Sequence, residues 1–127
     1  MSKVKRKLTT ILATDCVGFS KRMDENEELT LENLKACRSI IDPQIKEFGG
    51  RIFYTAGDSV IAEFESPVEC VNAAIGFQKA INDRNNTLSE ESQLDWRVGI
   101  HLDDVIIEGD NVYGNGVNIA ARLETAC

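Results

Sequence analysis

Leu8-Thr-Thr-Ile-Leu-Ala-Thr-Asp15-Cys-Val-Gly-Phe-Ser20 runs an apolar, β-compatible segment into an aspartate and a short turn with one glycine. Leu8–Thr14 therefore predicts a buried central strand that ends at Asp15. Upstream, Lys3, Lys5, Arg6 and Lys7 read as a solvated leader; no apolar h-region follows them, so they do not form a signal peptide. Downstream, Leu34, Cys37, Ile41, Ile45 and Phe48 recur at three- and four-residue steps, the apolar stripe of an amphipathic helix. Pro43 falls inside that pattern and predicts a kink or a split; Gly49-Gly50 predicts the helix end. Arg51–Tyr54 and Val60–Phe64 read as two strands of a hairpin around Thr55-Ala-Gly-Asp58. Ser66-Pro-Val-Glu69 is a capping box with proline at the first helical position. The helix it opens is expected to turn Val71, Ala74, Ile75, Gln78 and Ile81 to one face. Asp83–Gln93 reads as a polar surface loop. Trp96–Leu102 is expected as a strand, Asp103-Asp104 as a turn and Val105–Ile107 as a second strand. Gly114-Asn-Gly116 leads into a last helix, Val117–Thr125. The order is β-α-β-β-α-β, then a hairpin partner and a helix. It predicts an α+β, ferredoxin-like sandwich, an antiparallel sheet with helices on one face.

The 127 residues suffice for one domain with one core. No apolar run nears the roughly 20 residues of a membrane helix. The formal charge of −7 argues against general nucleic-acid binding, which needs basic faces to displace counterions. It leaves a nucleotide substrate open, because metal ions can neutralise phosphates locally. Cys16, Cys37, Cys70 and Cys127 show no CxxC pairing, so neither a zinc site nor a disulfide framework is expected, and a reducing cytoplasm fits them.

Three constellations can carry chemistry. Asp15 and Asp58 each sit at a strand end beside a glycine-containing turn. If the first strand and the hairpin are sheet neighbours, the two carboxylates can bind two divalent ions, which activate an attacking oxygen and neutralise a triphosphate. Read singly, each is an ordinary turn aspartate; the pairing favours the metal role. The second is the turn Cys16–Ser20, whose backbone N–H groups can cradle phosphates ahead of a helix. Alone it is a weak signal, and Phe19 reads as a core anchor. The third is Asn118 and Arg122, four apart and so on one helix face. The guanidinium can stabilise charge on a transferring phosphate, or the pair is simply a polar surface stripe.

Leu12-Ala-Thr-Asp15-Cys-Val-Gly-Phe-Ser20, Gly49-Gly-Arg-Ile, Ala56-Gly-Asp58, Trp96-Arg-Val-Gly-Ile100-His and Tyr113-Gly-Asn-Gly-Val-Asn118-Ile-Ala-Ala-Arg122-Leu-Glu resemble, in order and spacing, the class III adenylate and guanylate cyclases. The resemblance runs from about Lys7 to the end of the chain. It implies a nucleotidyl cyclase that closes a nucleoside triphosphate into a 3′,5′-cyclic nucleotide. Asp15 and Asp58 would hold two Mg²⁺ or Mn²⁺ ions, with the Cys16 carbonyl as a further ligand. Val17, Gly18, Phe19 and Ser20 would hold the triphosphate, Asn118 would orient the ribose, and Arg122 would stabilise the transition state. The resemblance also implies a homodimer, with the metal aspartates of each site from one subunit and Asn118 and Arg122 from the other. No nucleic-acid or membrane partner is expected.

Two positions depart from the adenylate cyclase pattern. Tyr54 stands where a lysine is usual, four residues before the second metal aspartate. Asn111 stands where Asp or Thr is usual, three before Gly114. A ring in place of a cation takes up pocket volume, and an amide both donates and accepts. The pair looks like the pyrimidine cyclases of the Pycsar antiphage systems, which implies UTP, or else CTP, as substrate and cUMP or cCMP as a defence messenger. The alternatives are an ordinary adenylate cyclase, a catalytically silent dimerisation module, and a diguanylate-cyclase or polymerase-palm relative, which would lack the Asn-x-x-x-Arg helix. The family domain usually continues with a strand pair bearing a phosphate-binding lysine, so residues 1–127 are expected to form a domain incomplete at its C-terminus.

Overall fold

The computed structural model describes residues 4–108 and 111–113. Strand β1 is Val4–Cys16. Helices α1, Phe19–Glu25, and α2, Glu27–Glu47, follow it. The hairpin is β2, Arg51–Ala56, and β3, Ser59–Phe64. Helix α3 is Pro67–Asn85, and a single 3-10 turn, Glu90–Ser92, precedes β4, Trp96–Glu108, and β5, Asn111–Tyr113. The sheet order is β2-β3-β1-β4-β5, with every neighbouring pair antiparallel. This is the expected ferredoxin-like α+β arrangement, with the segment around Leu8–Thr14 at its centre.

Two expectations fail for one reason. The leader does not stay outside the fold: β1 begins at Val4 and includes Lys5–Lys7. Asp103-Asp104 is not a turn: both lie within β4, opposite Thr9 and Leu8. β1 and β4 are 13 residues each and pair without a break, from Val4↔Glu108 to Cys16↔Trp96. A continuous ladder satisfies a backbone donor or acceptor at each step, which outweighs the turn preference of two aspartates.

Pro43 does not split α2, which runs unbroken through it. The proline is exposed, while Leu34, Cys37, Ile41 and Ile45 fill the opposite, core-facing stripe. The missing N–H therefore falls on the solvent side, and packing holds the helix together. Its end is a Schellman motif: Gly50 N–H donates to Ile45 O at 2.8 Å and Gly49 N–H to Lys46 O at 3.1 Å. Gly49 supplies the left-handed φ of 81°.

The Ser66 cap forms as expected, its hydroxyl accepting from Glu69 N–H at 3.2 Å. The buried stripe of α3 differs from the expected one, consisting of Cys70, Ala73, Ala74, Phe77 and Ile81. Val71 and Ile75 are 44% and 61% exposed. The rotation is set by tertiary contacts on both flanks. Gln78 Nε2 donates to Trp96 O at 2.7 Å, fixing one flank on β4. On the other, a side-chain carbon at Gly76 would lie 2.6 Å from Gln44 Oε1 of α2. Asp83–Gln93 is only partly loop, since α3 continues to Asn85. Asn85 is buried and ties the connection down, donating to Leu94 O at 3.0 Å and accepting from Leu94 N–H at 3.3 Å.

Leu12, Cys16, Val60, Ala62, Phe64 and Trp96 of the sheet form the core with the buried stripes of α2 and α3. Leu12 and Cys16 of β1 thus face the helices, and Ala13 and Asp15 belong to the other face.

Candidate active site

β1 delivers Asp15 and Cys16 at its C-terminal end, and the β2–β3 hairpin delivers Asp58 beside them. The hairpin closes with two residues, Gly57-Asp58, between paired Ala56 and Ser59. Gly57 takes a left-handed φ of 57°, the conformation that a glycine at the first loop position provides. Because β3 neighbours β1, the loop lands on the end of β1, and Cys16 N–H donates to Asp58 Oδ2 at 2.9 Å. The structure therefore places the Asp58 carboxylate on the backbone of the residue that follows Asp15.

Asp15 is held from the other side. Arg97, its register partner on β4, donates from Nε to Oδ1 at 2.9 Å and from Nη2 to Oδ2 at 3.0 Å. Arg97 was not singled out in the sequence. Its signal is its place in the Trp96–His101 motif, one residue into a strand whose pairing with β1 cannot be read from the chain. The Cys16 thiol is no ligand. Its side chain is packed in the core, and burial, with Asp58, Cys37 and Asp15 adding to it, pushes its pKa up to about 12. Cys16 can contribute only through its backbone.

The donor set suits small hard cations. Among the described residues no cluster of three or more His, Cys, Asp or Glu side chains could hold a metal. Two carboxylates and a backbone carbonyl make an all-oxygen, incomplete shell, as Mg²⁺ and Mn²⁺ accept when phosphate oxygens and water supply the rest.

The turn after Cys16 is tighter than its sequence suggests. Val17 N–H is committed to Asp95 O at 2.8 Å and Cys16 N–H to Asp58. Among the described residues the N–H groups of Gly18, Phe19 and Ser20 have no such acceptor, and Gly18, with φ 66°, caps α1. A phosphate-binding role thus fits Gly18–Ser20 better than Val17. Phe19 packs on the core, as expected of an anchor.

A bulge decides where Tyr54 sits. The register passes from Ile52↔Ala62 to Tyr54↔Ile61, leaving Phe53 as the extra residue. Tyr54, Ile61 and Ala13 then form one cross-strand row, on the same face as Asp15. Tyr54 is 52% exposed, so it is not a core aromatic. Asn111 opens β5, at the opposite edge of the sheet from β2. Asn118 and Arg122 lie outside the described residues. Clefts of about 530 Å³, bordered by α1, α2 and the 3-10 turn, and about 310 Å³, beside Asp42 and Gly50, are lined by neither Asp15 nor Asp58. No helix among the described residues is long and apolar enough to cross a membrane.

Comparison with known proteins agrees with this geometry. Residues 2–127 match the family model of the adenylate and guanylate cyclase catalytic domain. A putative adenylate cyclase 3 from Rhizobium meliloti is 38% identical over 122 residues, covering 95% of this chain but 21% of that protein. The chain thus spans about a fifth of that relative's length. The serine/threonine-protein kinase pkn2 of Myxococcus xanthus is 28% identical over 97% of this chain and 15% of its own. Among solved structures, an adenylate/guanylate cyclase/hydrolase from Silicibacter pomeroyi superposes with a TM-score of 0.90 at 34% identity, covering 98% of this chain and 73% of that one. The adenylyl cyclase CyaB from P. aeruginosa superposes at 0.83 with 24% identity, covering 98% and 74%, a likeness of fold. With the paired aspartates, the sheet order and the match over nearly its whole length, the chain belongs to the adenylate and guanylate cyclase catalytic domain family.

Proposed function

We propose that the chain is the catalytic domain of a nucleotidyl cyclase that converts a nucleoside triphosphate to a 3′,5′-cyclic nucleotide and pyrophosphate. The observation that supports this is the contact of Cys16 N–H with Asp58 Oδ2 at 2.9 Å, one residue after Asp15 at the end of the central strand. In the reaction the ribose 3′-oxygen forms a bond to the α-phosphorus, the bond from that phosphorus to the pyrophosphate oxygen breaks, and the hydroxyl proton is lost. Two divalent cations, Mg²⁺ or Mn²⁺, would neutralise the phosphates and make the hydroxyl more acidic. Asp15 and Asp58 would hold them, with the Cys16 carbonyl. Cys16 N–H orients the Asp58 carboxylate, and Arg97 orients that of Asp15. The free N–H groups of Gly18, Phe19 and Ser20 support a place for the triphosphate beyond the end of β1. Asn118 would orient the ribose and Arg122 would meet the charge of the transition state, both from a second subunit of a homodimer.

For the base, two observations compete. The named relatives are adenylate and guanylate cyclases, which favours a purine. Tyr54 favours a pyrimidine. Its exposed ring on the Asp15 face occupies volume where a lysine would otherwise read the edge of adenine. We adopt the pyrimidine reading, UTP before CTP, with a messenger role in antiviral defence. The buried, unpaired Cys16, Cys37 and Cys70 support a cytoplasmic setting. The test is incubation of the full-length protein with each of the four nucleoside triphosphates and Mn²⁺, with mass spectrometry of the products. cUMP or cCMP is expected. Mostly cAMP removes the pyrimidine assignment and keeps the cyclase, and no cyclic product from any triphosphate removes both.

A further inference from the structure

Arg97 grips the same two oxygens of Asp15 that a cation would need. The contact is bidentate, Nε to Oδ1 at 2.9 Å and Nη2 to Oδ2 at 3.0 Å, the geometry in which guanidinium and carboxylate match best. The side chains are 24% and 14% exposed, so the pair is screened less than a surface salt bridge. A carboxylate has about four lone-pair sites, and Arg97 takes two. A cation can approach Asp15, but only against a full positive charge already at hydrogen-bond distance. Asp15, Asp58 and Arg97 together carry a net charge of −1, too little to balance even one divalent ion.

We propose that Arg97 is a positioning residue that locks Asp15 in the nucleotide-free chain. It keeps the carboxylate ordered and holds divalent-cation affinity low until a triphosphate brings the missing negative charge. Cation loading and nucleotide binding are thereby coupled through one side chain. This inference rests on the metal-binding reading of Asp15.

The test is Mn²⁺ binding to the protein without nucleotide, by electron paramagnetic resonance of the free ion, for the wild type, Arg97→Gln, Arg97→Lys and Asp15→Asn. Arg97→Gln is expected to bind Mn²⁺ about tenfold tighter, the size of effect reasonable for one partly buried opposing charge. Arg97→Lys keeps the charge, loses the fork, and is expected to stay within about threefold of wild type. Arg97→Gln binding no tighter than wild type, while Asp15→Asn abolishes binding, overturns the lock and leaves the metal site standing. Binding that Asp15→Asn does not reduce removes the metal reading, and the lock with it. A second measurement needs no variant: solvent exchange of the wild-type Arg97 Nε–H, followed by NMR, is expected to accelerate once Mg²⁺ and a non-hydrolysable triphosphate are both present. An unchanged exchange rate with both bound overturns the lock.

Discussion

Asp58 does two separable things, and two substitutions separate them. Its carboxylate would hold a cation, and Oδ2 accepts from Cys16 N–H at 2.9 Å. Cys16 is 2% exposed, so that N–H has little water to turn to. Asp58→Ala removes both functions. A charge-assisted bond is lost and a mostly buried donor is stranded, at a cost of about 2 kcal/mol. Loss of a like charge beside Asp15 offsets little of this, because Arg97 already neutralises Asp15. Asp58→Asn removes the charge but keeps an amide oxygen that can turn to the same N–H, so its cost is about 1 kcal/mol or less. For a domain of this size roughly 4 °C per kcal/mol translates these into melting shifts of about 8 °C and 4 °C. The assays are thermal melts by circular dichroism and cyclic-nucleotide production with Mn²⁺. Both variants should be inactive, and only the alanine should be markedly less stable. An alanine variant melting with the wild type refutes the structural role of the Cys16 contact. An asparagine variant turning over at the wild-type rate refutes the metal role.

If each site draws on two subunits, mixing inactive Asp58→Asn with inactive Arg122→Ala should restore part of the activity, since one site in each heterodimer would be intact; a mixture as inactive as its components, with heterodimer shown by mass, rejects the shared site. Gly50→Ala places a carbon 2.5–2.8 Å from the Phe64 ring and Ile45 Cγ2, an overpacking that should cost about 1–3 kcal/mol in urea melts. Burial pushes the Cys70 thiol from 9.0 up to about 12. The folded chain therefore keeps that proton where the unfolded chain loses it, and the contribution is intact below pH 9.0 and lost as pH rises towards 12. Cys70→Ala should flatten that part of the alkaline stability profile, measured by urea midpoints across the range.

Local patterns in this chain reported local structure. The Ser66 cap and the Gly49-Gly50 ending formed where read, and the turn expected over Thr55–Asp58 tightened to Gly57-Asp58, because each is decided by the φ/ψ and hydrogen-bond needs of a few consecutive residues. The order of elements implied the fold, and the motifs named Asp15 and Asp58. What the sequence could not supply is everything set by partners distant along the chain. Pairing with β1 made β4 one strand through Asp103-Asp104. Contacts with Gln44 and Trp96 rotated α3 so that Phe77 went in and Ile75 stayed out. A one-residue bulge put Tyr54 on the Asp15 face, since side chains alternate faces and one extra residue changes the side. Arg97 met Asp15, 82 residues away, only through the β1–β4 register. An aspartate's chemistry is written in its side chain; which cation or proton donor stands beside it is decided when the strands are laid together.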